Sequence, residues 1–104
     1  MADRIEQLTK ILAAEPNDTF CMYGLAIEHA RRGETARAVE WFDRTLAVDP
    51  NYCYAYFHKA KAQSEAGDTQ AAIVTLREGL MQSRACRDLK AAGEIEAFLD
   101  ELEG

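Results

Sequence analysis

The chain has 104 residues, 48% hydrophobic and 29% charged, which suits one domain with a real core and excludes two ordinary domains. Its formal net charge is −6 at pH 7. We expect no nucleic-acid partner, because binding to nucleic acid depends largely on Lys and Arg side chains that neutralise phosphates.

The cysteine content and the N-terminal residues indicate the cellular setting. Cys21, Cys53 and Cys86 are an odd number of cysteines without Cys-x-x-Cys spacing. The N-terminal region carries charges and no apolar signal-peptide stretch, and no run of residues is long and apolar enough to span a membrane. We therefore expect a soluble, cytoplasmic protein with three free thiols and no membrane partner.

Six helices follow from the spacing of apolar residues, which recur every three or four positions. Gly33 and Gly67 are expected in the left-handed conformation that ends a helix, and Thr35 and Thr69 are expected to cap the helices that follow. Tyrosines alternate after Pro50 as they would in a strand, but the flanking sequence predicts that they begin a helix. The predicted helices lie near residues 3–14, 19–32, 35–48, 53–66, 69–83 and 87–102.

The last predicted helix is amphipathic, with acidic residues between apolar ones. We expect it to cover an exposed core through Ile95, Phe98, Leu99 and Leu102. The junction before it, at Ser83–Arg87, is compatible with a turn or with a continuous or kinked helix.

The same features return at an offset of 34 residues. Pro16 and Pro50 stand in the contexts Glu-Pro-Asn and Asp-Pro-Asn, and Gly33-Glu34-Thr35 returns as Gly67-Asp68-Thr69. So many matches at one offset indicate an internal repeat of two helices.

A 34-residue helix–turn–helix repeat with Ala-Gly near its middle and Asp-Pro-Asn at its end resembles the tetratricopeptide repeat (TPR) family. The resemblance is carried by the segments AVEWFDRTLAVDPN and EAGDTQAAIVTLREGL. It implies an all-α, right-handed solenoid of antiparallel helix pairs, in which the first helix of each pair lines a concave groove. The single domain then divides into an N-terminal half-repeat helix (1–18), two full repeats (19–52 and 53–86) and a C-terminal capping helix (87–104).

The resemblance also implies packing roles for residues that depart from the usual pattern. Tyr56 is expected between the two helices of its repeat, and Tyr52 at the turn between repeats. His29 stands where the family usually has a packed tyrosine, so we expect a structural role for it.

The family's groove positions transfer to this chain one by one. They imply a mainly aromatic and apolar groove, with two polar groups, that binds an apolar or amphipathic peptide or helix of another protein. The places where some relatives clamp a C-terminal carboxylate hold Tyr23, Ile27 and His58, which disfavours that mode of binding. The groove residues are Phe20, Tyr23, Gly24, Ile27, Tyr54, Phe57, His58 and Lys61.

Two alternatives to a free groove stay open. The last helix could fill the groove through Phe98, Leu99 and Leu102. The chain could also be a structural unit that homodimerises through the groove or through its exposed ends.

Catalytic and metal chemistry is not expected. Cys53 lies five residues before His58, off the spacing that would align the two side chains on a helix. Together with Cys21 and Cys86, these residues lack the ligand spacing of a zinc site. We therefore expect a non-enzyme with no cofactor and no metal.

Overall fold

The computed structural model describes residues 3–104, which form six α-helices joined by short turns and contain no strand. Met1 and Ala2, the start of the predicted half-repeat, lie outside the described residues. All six predicted helices are present, each with ends within two residues of those predicted. They are α1 (Arg4–Ala14), α2 (Thr19–Arg31), α3 (Thr35–Val48), α4 (Cys53–Glu65), α5 (Thr69–Ala85) and α6 (Leu89–Glu103).

The core runs along the stack as three clusters, each of which joins helices that are neighbours in the chain. Leu8 of α1 packs on Cys21 and Leu25 of α2. The second cluster joins α2, α3 and α4 around Phe42, whose side chain is fully buried. The third joins α4, α5 and α6 through Ala60, Ala72, Ile73, Leu76, Ile95 and Leu99.

The turns inside the two repeats have the predicted glycine conformation but different caps. Gly33 and Gly67 have φ of +75° and +89°, which confirms their left-handed role. The prediction that Thr35 caps a helix was wrong, as was the same prediction for Thr69, because each is the first helical residue and an acid precedes it. The Asp68 side chain accepts a hydrogen bond from the Ala71 N–H at 3.1 Å.

The junction between α5 and α6 is a clean turn. Arg84 stands where a proline would stop the helix, and α5 continues to Ala85. Arg87 then adopts a φ of +61°, the conformation that glycine takes in the two inner turns. The Asp88 side chain accepts from the Ala91 N–H at 3.1 Å, as Asp68 does for its own helix. This junction therefore copies the turn inside a repeat, although it follows the end of one.

The packing predicted for three ring residues is confirmed. Tyr56 lies against Gly79 of α5, where an added Cβ would come within 2.6 Å of the Tyr56 Cβ. Tyr52 stacks near Tyr23, with 4.8 Å between the ring centroids, and so links the two repeats. His29 is buried, and its Nδ1 lies 2.9 Å from Glu34 Oε1, where the pair can form a hydrogen bond.

Candidate functional site

The candidate site is one face of the stack, along which α2, α4 and α6 lie side by side. We call it the groove face. It carries the eight residues singled out in the sequence, and their exposure differs. Phe20 is 67% exposed and Lys61 is also exposed, whereas Gly24 is buried. The other five are partly buried: Tyr23, Ile27, Tyr54, Phe57 and His58.

A row of rings crosses this face from one helix to the next. The ring of Tyr23 on α2 meets His58 on α4 edge-on, at 5.8 Å between centroids. His58 lies 5.3 Å from Phe57, again edge-on. Phe57 in turn lies 5.4 Å from Phe98 on α6. Because aromatic rings in such pairs hold one another in place, the row gives the face a firm apolar floor.

Three clefts open on the groove face. The cleft between α2 and α4, of about 350 Å³, is lined by Ile27, Arg31, His58 and Lys61 among others. A smaller one of about 170 Å³ lies beside Phe20, and Arg4 of α1 contributes to its wall. The cleft between α4 and α6, of about 430 Å³, is lined by Phe57, Lys61, Glu94, Ala97, Phe98 and Glu101.

The third cleft contains residues that the sequence prediction did not include. Glu94, Phe98 and Glu101 of α6 repeat at helical spacing and therefore share one side of that helix. The sequence carried this signal, but the last helix was interpreted as a cap, so its groove-facing side was missed. Tyr54 belongs to the same end of the face, since the nearby Glu94 helps to raise its pKa.

The last helix extends the groove face instead of filling it. Leu99 and Ile95 point into the core, and Leu102 packs at its edge. Phe98 covers part of Phe57, yet the cleft between α4 and α6 stays open. The groove is thus free along most of its length.

Gly24 has a structural reason for lacking a side chain. A Cβ at this position would lie 3.1 Å from Leu8 Cδ1, so glycine allows α1 to pack closely on α2. Of the eight residues, it is the one whose surroundings are set mainly by the chain itself.

Burial changes the proton affinity of the central rings. It raises the pKa of Tyr23 to about 12, with smaller contributions from Tyr52 and Tyr54. Burial also lowers the pKa of His58, and the positive charge of Lys61 lowers it further, while Glu94 acts in the opposite direction. His58 is therefore favoured in its neutral form.

We expect the stability of the chain to depend on His58 in mildly acidic solution. A histidine with a lowered folded-state pKa binds fewer protons in the folded state than in the unfolded state. Its contribution is complete above the unfolded pKa of about 6.5 and is lost as the pH falls from there through the folded value. Urea unfolding between pH 7.5 and 5 should show a smaller loss for His58→Gln than for the unaltered chain. Parallel curves for the two proteins would contradict this assignment.

The described residues offer little for chemistry. Within residues 3–104, no group of three or more His, Cys, Asp and Glu side chains is placed to hold a metal ion. None of the helices in that range is long and apolar enough to cross a membrane.

Comparison with known proteins decides the family. Residues 41–74 match the family model described as tetratricopeptide repeat. Over 99 residues, the chain is 30% identical to a TPR repeat-containing protein of Pseudomonas aeruginosa, covering 95% of this chain and 94% of that protein. The chain belongs to the tetratricopeptide repeat family.

Solved structures give the same fold for this TPR chain. A tetratricopeptide repeat domain protein from Salinibacter ruber is 30% identical, with a TM-score of 0.77 over 86% of this chain and 90% of that one. The TPR2B domain of yeast Sti1, solved in complex with pHsp70, has a TM-score of 0.85 at 21% identity over 95% of this chain and 79% of that one. The predicted all-α, right-handed solenoid of antiparallel helix pairs is thus confirmed.

Proposed function

We propose that the chain is a non-catalytic protein-interaction module whose groove face binds an amphipathic helix of another protein. The observation that carries this proposal is the row of rings that crosses α2, α4 and α6 and ends beside an exposed Phe20. A large apolar side chain that is 67% exposed next to an open cleft is a typical binding anchor. The apolar side of the bound helix would lie on Phe20, Tyr23, Ile27 and Phe57.

The charges along the groove face favour a partner helix with a basic flank. Glu94 and Glu101 line the cleft between α4 and α6, and neither forms an ion pair with any residue in 3–104. Two partly exposed carboxylates without a partner favour Lys or Arg on the ligand. Lys61, between the two main clefts, would contact an acidic group near the middle of the bound helix.

The family and the neighbouring structures support this reading. The yeast TPR2B domain, which has the same fold, is described as a complex with pHsp70. TPR folds are typically interaction modules without catalytic activity, and the residues in 3–104 bring together no nucleophile, base and orienting group. The cytoplasmic location stays a prediction from the sequence.

A second candidate function is self-association as a structural unit. It is favoured by apolar side chains that are exposed away from the ring row, at Val74, Met81 and Leu89. Val74 and Met81 are seven residues apart on α5 and so share one side of that helix. Light scattering at two concentrations separates the proposals, because a strict monomer at high concentration contradicts self-association.

Peptides of defined chemistry test the groove directly. We expect an amphipathic helical peptide with a basic flank to bind more tightly than one with an acidic flank, and a scrambled peptide of equal composition not to bind. Phe20→Ala should weaken binding at least about tenfold, because it removes an exposed anchor at little cost to the fold. Calorimetry gives the affinities, and NMR shift changes locate the bound peptide.

The matched control is Met81→Ala, which removes an apolar side chain that is 72% exposed on α5, outside the groove face. It should leave peptide affinity unchanged. Equal losses in the two variants, or shift changes confined to α5, would overturn the proposed site. Phe57→Ala is a poorer probe, because Phe57 also packs on the core cluster of α4, α5 and α6.

A further inference from the structure

Two cysteines that are distant in the sequence are neighbours in the fold. The Sγ atoms of Cys53 and Cys86 lie 3.7 Å apart, in van der Waals contact. Cys53 is the first residue of α4 and is only 3% exposed, whereas Cys86 is the residue that ends α5 and is partly exposed. The pair therefore joins the beginning and the end of the second repeat.

The surrounding contacts hold these two chain ends together. Gln82 of α5 donates a hydrogen bond from Nε2 to Asn51 Oδ1 at 2.7 Å, which ties the last turn of α5 to the turn before α4. The Cys53 thiol lies 3.3 Å from the Asn51 carbonyl oxygen, and the Cys86 thiol lies 3.7 Å from that of Ser83. A disulfide requires the two sulfurs to approach to about 2.05 Å, so they need to move closer by less than about 2 Å.

We propose that Cys53 and Cys86 form a redox modification site, at which a peroxide produces a disulfide that closes the second repeat. Hydrogen peroxide first oxidises the more exposed Cys86 thiol to a sulfenic acid and is itself reduced to water. The Cys53 sulfur then attacks the Cys86 sulfur, the S–S bond forms, and the sulfenic oxygen leaves as a second water with the Cys53 proton. Two thiols and one peroxide thus give one disulfide and two waters.

The order of the two steps follows from the surroundings of each thiol. Cys86 is open to a small oxidant, while Cys53 is covered by the start of its own helix. Burial raises the pKa of Cys53, which keeps it protonated and disfavours direct attack on peroxide. Cys21 is excluded because it packs on Leu8 and Leu25 at the other end of the stack.

The disulfide would act on the groove face through the fold. It would connect the first residue of α4 to the turn that leads into α6, and these two helices line the cleft that contains Glu94 and Phe98. By closing a long loop, it should also stabilise the folded state against the unfolded chain. In the reducing cytoplasm expected from the sequence, thiols would return the pair to its reduced form.

Peroxide titration of the full-length chain tests the proposal. We expect one intramolecular disulfide between the peptides that contain Cys53 and Cys86, with Cys21 still open to alkylation after unfolding. The melting temperature should rise by on the order of 10 °C and return after reduction. A disulfide that includes Cys21, a crosslink only between chains, oxidation that stops at a sulfinic acid, or three alkylated thiols would overturn it.

Single substitutions distinguish this pair from general oxidation. Cys86→Ser and Cys53→Ser should each abolish both the crosslink and the rise in melting temperature, whereas the matched control Cys21→Ser should retain both. Circular dichroism before oxidation shows whether each variant is folded. If a folded Cys86→Ser variant is stabilised by peroxide as much as the unaltered chain, the assignment is wrong.

Discussion

Replacing Gly79 with alanine is expected to destabilise the fold by about 2–3 kcal/mol, although alanine is the better helix former by about 1 kcal/mol. The reason is steric. An added Cβ would lie 2.6 Å from Tyr56 Cβ and 2.9 Å from Tyr56 Cγ, and these atoms are anchored close to the backbone of α4. Neither helix can yield without disturbing Ile95, whose Cδ1 would lie 3.3 Å away.

The first repeat contains the compensating pair. Met22 and Thr45 occupy the positions 34 residues before Tyr56 and Gly79, and both are buried. A large ring with glycine in one repeat thus corresponds to a flexible thioether with threonine in the other. We expect Gly79→Thr alone to be strongly destabilising and Tyr56→Met with Gly79→Thr to recover most of the loss.

Urea unfolding of the single and double variants measures this coupling. In a double-mutant cycle, the interaction between the two positions should exceed about 1 kcal/mol in favour of the double variant. The result that contradicts the steric explanation is simple addition of the two single effects. A gain in stability on Gly79→Ala would do so more directly.

Replacing Ile95 with alanine is expected to cost about 3 kcal/mol, which corresponds to a fall of about 10–20 °C in melting temperature. Ile95 is 1% exposed and fills the cluster shared by α4, α5 and α6. Removing its side chain leaves a cavity at the end of the stack, where no further repeat follows in the described chain.

The loss should be unequal along the chain, because each unit of a solenoid contacts only its neighbours. Hydrogen exchange should accelerate most in α5 and α6 and least in α1 and α2. Val74→Ala is the matched control, since Val74 is 54% exposed on α5 and should contribute less than about 0.5 kcal/mol. An equal acceleration of exchange in all six helices would show that the stack unfolds only as a whole.

Most of the fold could be predicted because its signals are local and repeated. The offset of 34 residues connects Pro16 with Pro50 and Gly33 with Gly67, and each member supports the assignment of the other. The failed prediction concerned the helix caps. Threonine and aspartate both cap helices, so Asp68-Thr69 permits two starts one residue apart, and only the hydrogen bond from Ala71 decides between them.

The site was less accessible to sequence reasoning, because it depends on how distant helices dock. The residues of α2 and α4 followed from the repeat. The groove-facing side of α6, with Glu94 and Phe98, depends on the path of the chain after Arg87. The contact of Cys53 with Cys86 likewise appears only once α5 has returned to the start of α4.

The turn at Arg87 also bears on how such a chain can grow by duplication. Up to α4, the units are joined by the Asp-Pro-Asn turn, and a copied unit inserted there would meet the same junction on both sides. Beyond α5, which has 17 residues where α3 has 14, the chain changes to an inner-type turn and α6 follows at a different position in the repeat. The last turn therefore acts as a terminator, where the periodic part of the molecule ends.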